Sequence, residues 1–265
     1  MLGKLLKQEL KIQGKTVSVM YGALIAATLL TMAVYFIGSL AGDLVLGTVF
    51  VAVCALYGMT LVITVVVNFI SLCFHFYQSM YSAQGYLTHT LPVKTTQILH
   101  AKVAVAFGYM CLTGILSAVS SMMIALAVDG LSISELFGVI AKAVRDTSQE
   151  LGVPGVLFVL FFLLLFLLGF LNGLLLFFAG SSIGQLFHRS KGAYGIAATI
   201  GLYYASQIVS LAVIFFGYLL YAELSGSFSD PAPWVMGGAS LLLLCWAAVY
   251  YTICRVIVQK HLNLE

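Results

Sequence analysis

The chain has 265 residues, 62% of them hydrophobic and only 8% charged, with a net charge of +3. A soluble domain carries about a quarter charged residues, so a water-covered surface is excluded and most of the chain belongs in lipid. The small positive balance is no nucleic-acid footprint, because the cations form no basic strip.

Charged residues fall at a few points and leave long gaps. No Asp, Glu, Lys or Arg occurs in 16–42, 44–93, 103–128, 151–188, 192–222 or 231–254. Each gap holds the roughly 20 apolar residues that cross a bilayer as a helix. A helix satisfies its own backbone hydrogen bonds in lipid, and the alternating pattern of a membrane barrel is absent. The expected fold is an all-α integral membrane bundle, one domain over 1–265, with an interfacial helix at the N-terminus.

That first element is MLGKLLKQELKIQGK, over 1–15. Leu2, Leu5, Leu6 and Leu10 share one helical face, and Lys4, Lys7, Lys11 and Lys15 lie on the other. The pattern predicts an amphipathic helix on the inner leaflet, cations toward anionic head groups. The alternative is a positive region leading straight into a first span. The spans follow near 17–40, 46–72, 103–128, 153–180, 194–221 and 234–257. Six spans put both termini on one side. That side would hold Lys4, Lys7, Lys11, Lys15, Lys94, Lys102, Arg189, Lys191, Arg255 and Lys260, against only Glu9 and Glu265. The other side would hold Lys142 and Arg145 against seven acids. The positive-inside rule makes the first side cytoplasmic.

Between spans two and three lies the cytoplasmic segment 75–102. Gly85 is a breaker, Pro92 disfavours helix at Leu91, and Thr95 or Thr96 can cap a helix carrying Ile98 and Leu99 into span three. Tyr86, Leu87, Leu91 and Val93 then form a short apolar knuckle below the membrane, the makings of a docking face. Span three carries Thr113, Ser117, Ser120 and Ser121 on one face, read mainly as packing. The loop 129–152 starts with capping-box spacing from Ser132 to Glu135. Leu136, Val139, Ile140 and Ala143 then predict a short amphipathic helix on the outer leaflet. Small residues recur every four positions at Gly169 and Gly173, Gly180 and Gly184, and Ala197, Gly201 and Ala205, which lets helices approach closely. Three amides lie within spans, Asn68, Asn172 and Gln207. They read either as glue between helices or as the lining of a substrate path.

Enzyme chemistry finds no foothold. His75, His89, His100, His188 and His261 all map to the cytoplasmic side, and no HExxH, GxSxG or GxxxxGK[ST] pattern occurs. The spans lack the ionisable residues that an intramembrane enzyme or an ion-driven carrier would need at depth. The five cysteines lie in or at the ends of spans, with no CxxC pair, and read as apolar packing. No catalytic residue and no metal site is expected.

The order of parts resembles the type-2 ATP-binding-cassette export permease family. The likeness rests on the basic N-terminal MLGKLLKQELK, the six spans and the segment between spans two and three. There Gly85, Tyr86-Leu87, Thr90-Leu91-Pro92-Val93, Thr95-Thr96 and Ile98-Leu99-His100-Ala101-Lys102 follow the family's pattern. Ala83 and Gln84 stand where members often carry an acid, and the larger outer loop precedes span four, not span six. The resemblance implies a coupling segment, Tyr86, Leu87, Leu91, Pro92, Val93 and Lys94, that binds a separate cytoplasmic ATPase. ATP and Mg would be held by that partner, with no cofactor in this chain. It further implies a second permease chain, the same or related, a location in the plasma membrane, and export or extraction of a lipid, amphipathic peptide or antibiotic. Asn68, Asn172 and Gln207 would line the path. A non-transporting scaffold or immunity protein, or the ligand-binding subunit of an importer, are the alternatives.

Overall fold

A computed structural model describes residues 2–41, 44–82, 85, 95–129, 132–187, 190–225 and 232–260. Seven helices make up nearly all of them: α1 (Leu2–Ala41), α2 (Leu44–Tyr81), α3 (Thr95–Asp129), α4 (Ile133–Glu150), α5 (Gly155–Gly184), α6 (Lys191–Ser225) and α7 (Ala232–Lys260). All but α4 are long and apolar enough to cross a membrane. Their outward faces suit lipid rather than water: Val156 and Leu211 are each 74% exposed.

The helices overrun the expected spans for a local reason. Hydropathy marks only the turns that lipid requires. Residues 73–81 hold no Gly or Pro, so α2 continues through Tyr77, Gln78 and Ser79. Helix α3 begins at Thr95. Nor is 1–15 a separate helix, because no breaker follows Lys15 and α1 runs on unbroken to Ala41. Its Lys4, Lys7, Lys11 and Lys15 are all exposed.

The helices group into two compact units. The first comprises Met1–His75 and Ala104–Ile140. Its interior is a polar seam among α1, α2 and α3. The Tyr21 hydroxyl pairs with Thr113 Oγ1 at 3.0 Å, Thr28 with Ser120 at 2.6 Å, and Tyr57 with the same Ser120 at 2.8 Å. Asn68 Nδ2 donates to Thr113 Oγ1. Hydroxyls that bond across helices in this way join them where apolar contact supplies little drive. Nearer the start of α1, His75 Nε2 meets Glu9 Oε2 at 2.9 Å, and the Tyr109 hydroxyl donates to Leu10 O at 2.7 Å. Gly14 makes room for that tyrosine, since a Cβ there would stand 3.0 Å from its oxygen. Gln13 and Val17 are buried, so this stretch of α1 is packed against protein from about its third turn.

The second unit comprises Phe76–Val103 and Ala141–Glu265. Here α5 packs along both α6 and α7, and α6 touches α7 far less. The tightest crossing is between α5 and α6. A Cβ on Gly184 would lie 2.6 Å from Gly195 Cα, and one on Gly180 would lie 2.8 Å from Thr199 Cα. These pairs set an antiparallel register in which the two backbones touch. The Ala197, Gly201 and Ala205 stripe takes no part in it and is exposed.

The start of α4 has the expected capping box: Ser132 N–H donates to Glu135 Oε2 at 2.7 Å, and Glu135 N–H donates back to Ser132 Oγ at 3.3 Å. The backbone donor of Ser132, and then its hydroxyl, hold the Glu135 carboxyl below its usual range. At the far end Gly152 has φ +63°. Val153 N–H bonds to Ser148 O and Gly152 N–H to Gln149 O, the paired closure that a left-handed glycine permits.

Candidate functional site

The amides singled out in the sequence separate into two settings. Asn68 lies in the first unit, fully buried, its Nδ2 on Thr113. Asn172 and Gln207 lie in the second unit and line one cavity of about 400 Å³ between α5, α6 and α7. The antiparallel register that joins Gly184 to Gly195 also carries Asn172 level with Gln207, and Gly169 level with Ser210. Where the glycine contact ends the helices leave this space: a Cβ on Gly169 would meet nothing within 4 Å.

Three helical faces build the lining. From α5 come Gly169, Asn172, Gly173 and Leu176; from α6, Tyr203, Ser206, Gln207, Ser210 and Ile214. From α7 come Ala239, Leu242, Leu243, Trp246 and Tyr250. Each set recurs at three- and four-residue steps, so each is one stripe of a helix. Trp246 Nε1 donates to Ser210 Oγ at 2.9 Å. Ser206 donates to Tyr203 O at 2.7 Å and its side chain also hydrogen-bonds Tyr250. The Trp246 and Tyr250 rings stack with centroids 5.7 Å apart.

Asn172 is the cavity's most informative residue. It is 9% exposed, and its Nδ2 donates to Leu168 O at 3.0 Å and to Leu243 O at 2.8 Å. Two carbonyl acceptors fix which end of the amide is nitrogen. Its Oδ1 is buried with no hydrogen-bond partner among the described residues. A buried acceptor left unpaired costs about 1–3 kcal/mol.

A second cavity, about 370 Å³, continues along α6 and α7. Val213, Gly217, Tyr218, Tyr221, Val235, Gly238, Leu241 and Cys245 line it, and it shares Ile214 and Leu242 with the first. Together they form a track with a polar end at Asn172 and Gln207 and an apolar end beyond Ile214. Among the described residues no Asp, Glu, Lys, Arg or His lines either part. The arrangement can hold a molecule by hydrogen bonds and apolar contact. Among the described residues no three His, Cys, Asp or Glu side chains gather to hold a metal.

Tyr86, Leu87, Leu91, Pro92, Val93 and Lys94 lie outside the described residues. The helix ends that flank them are described, and both are fastened within the second unit. At the end of α2, Phe76 stacks on Phe178 of α5 at 3.8 Å between centroids, and the Tyr81 hydroxyl pairs with Ser182 Oγ of α5 at 2.6 Å. At the start of α3, Ile98, Leu99 and Ala101 are buried, and His100 hydrogen-bonds the Tyr251 hydroxyl of α7. Lys102 closes the bracket. Counted among the cations of the cytoplasmic side, it is 2% exposed, and its Nζ donates to Ser79 Oγ at 2.7 Å. It ties the two flanking helix ends together.

Sequence reasoning missed Tyr203, Ser206, Ser210, Trp246 and Tyr250. The signal was present: hydroxyls and the amide at 203, 206, 207 and 210 make one face of α6, and aromatics at 246 and 250 make one face of α7. It also missed the Glu9–His75 pair, which joins residues 66 positions apart. No family model matches the chain, and neither the curated proteins nor the solved structures include a match.

Proposed function

We propose that this chain is the membrane permease subunit of an ATP-binding-cassette transporter of the type-2 export class, driven by a separate ATPase that carries the ATP and Mg. One observation carries the reading. Both helix ends that bracket Tyr86–Lys94 are fastened to α5 and α7, and α5 and α7 line the cavity that holds Asn172. A partner that moved the bracketed segment would move cavity walls with it.

In this reading both termini and Tyr86–Lys94 face the cytoplasm, which the charge bias supports, and the bundle sits in the plasma membrane. The exposed lysines of the first turns of α1 would face anionic head groups. Leu91, Pro92 and Val93 would seat on the ATPase. Closure of the ATPase on ATP would favour one arrangement of the segment over another, and only such a difference between two states can drive the cavity. Among the described residues no Asp, Glu, Lys, Arg or His lines the cavity to harvest a proton or sodium gradient. Energy supplied from outside the chain, by an ATPase partner, suits such a cavity. A second permease chain completes the transporter.

The test is to purify the chain from its native membrane through a tag on it and to measure ATP hydrolysis in the preparation. An ATPase that co-purifies and hydrolyses ATP is the expected result. A chain that emerges from the membrane without any ATPase overturns the proposal.

A further inference from the structure

We infer that the α5–α6–α7 track binds an uncharged amphiphile whose head carries hydroxyl donors and whose tail is apolar. The inference rests on the permease reading only in calling this ligand the substrate; binding itself needs no ATPase.

Three features select the ligand. Asn172 Oδ1 is a buried acceptor without a partner among the described residues, and both hydrogens of that amide are already given to Leu168 O and Leu243 O. A donor on the ligand would satisfy that oxygen. Among the described residues no charged side chain lines either part of the track, so a phosphate, carboxylate or ammonium would sit unpaired against these walls in a low-dielectric site, at high cost. The head is uncharged. Finally, polarity is graded along the track. Asn172, Gln207, Ser206, Ser210 and Tyr203 gather in the first cavity with Trp246, whereas the second is walled mainly by Val213, Ile214, Leu241 and Leu242. A hydroxylated head fits the amides and the aromatic face of Trp246, and an acyl chain fits the run along α6 and α7. A diacylglycerol and a glycosyl diacylglycerol share this chemistry.

Trp246 supplies the probe. Trp234 is the only other tryptophan, so Trp234→Phe leaves one emitter, inside the site. The full-length variant is placed in phosphatidylcholine vesicles and titrated with lipids bearing brominated acyl chains, which quench tryptophan on contact. The four probes are a diacylglycerol, a glucosyl diacylglycerol, a phosphatidylglycerol and phosphatidylcholine. The expected result is saturable quenching by the diacylglycerol or its glucoside, half-complete at a mole fraction about fivefold below that for phosphatidylcholine. Whichever of the two acts at the lower fraction identifies the head. Asn172→Leu and Gln207→Leu should each erase that preference. Gln207 is exposed, so its variant stays informative where loss of the Asn172 amide impairs folding.

Equal quenching by all four lipids, meaning bulk contact only, overturns the inference. So does preference for phosphatidylglycerol, or a preference that survives both substitutions. The two proposals fail separately. An ATPase that never co-purifies sinks the permease reading and leaves this binding intact, and uniform quenching does the reverse.

Discussion

Gly184→Ala tests the backbone contact from which the cavity opens. The added methyl would lie 2.6 Å from Gly195 Cα, Gly195 N and Lys191 O, whereas ordinary contact begins at 3.4 Å. All three obstacles are main chain, so no side chain can swing aside. Helices α5 and α6 must open by about 1 Å, an overpacking that costs about 1–3 kcal/mol. Gly169→Ala on the same helix is the control. A methyl there meets nothing within 4 Å, and replacing a mid-helix glycine gains up to about 1 kcal/mol. The assay is the fraction of detergent-solubilised protein that stays monodisperse after heating. Gly184→Ala should melt lower than the parent chain and Gly169→Ala at the same temperature or higher. The gap should be about 2–4 °C for each kcal/mol separating them. Equal shifts would refute the close crossing, and with it the account of why a cavity opens beside Asn172.

Further outcomes follow from single contacts. Tyr81→Phe removes the bond to Ser182 and should lower stability by about 0.5–1.5 kcal/mol; in the purified complex it should reduce transport more than ATP hydrolysis, read from the ratio of the two rates. Asn68→Leu should change stability by no more than about 1–2 kcal/mol and leave Trp246 quenching untouched, because Asn68 belongs to the hydrogen-bonded seam with Thr113. A changed quenching curve would count against that assignment. The Glu135 cap should respond to acid. Its carboxyl is held below its usual range, so the stabilisation is present above the unfolded pKa and is lost as pH falls through the folded value. Amide-exchange protection at the start of α4 should be full at pH 7 and fall in that acid window. Glu135→Ala should remove the pH dependence and Glu135→Gln should retain the cap, and protection independent of pH in the parent chain would contradict this.

The bundle was legible because lipid imposes a strict rule. Six charge-free gaps mark six helices, and Ser132 and Glu135 mark the start of α4 on their own. The overruns were not legible in hydropathy, which is silent about Tyr77–Tyr81 and Thr95–Lys102, where helix continues past the apolar run. Half of the cavity was in view. Asn172 and Gln207 stand out as amides in hydrocarbon, and nothing in their spacing along the chain says that α5 and α6 bring them level. That follows only from the glycine register. Trp246 and Tyr250 look like any interfacial aromatics until Ser210 and Ser206 are found beside them. The burial of Lys102 was not legible either: a charge count gives its side of the membrane, and only the fold shows its ammonium on Ser79. Repeating small residues were an ambiguous sign, since Gly180 and Gly184 make a close helix contact, whereas Ala197, Gly201 and Ala205 are exposed.

The central claim is that an ATPase seats on the segment bracketed by α2 and α3. The direct measurement compares how much of that ATPase is retained by the tagged parent chain and by the double variant Leu91→Asp with Val93→Asp, both inserted to the same level. The account predicts that the parent chain retains it and the double variant, with two carboxylates in an apolar contact, does not. Equal retention by both would contradict the account.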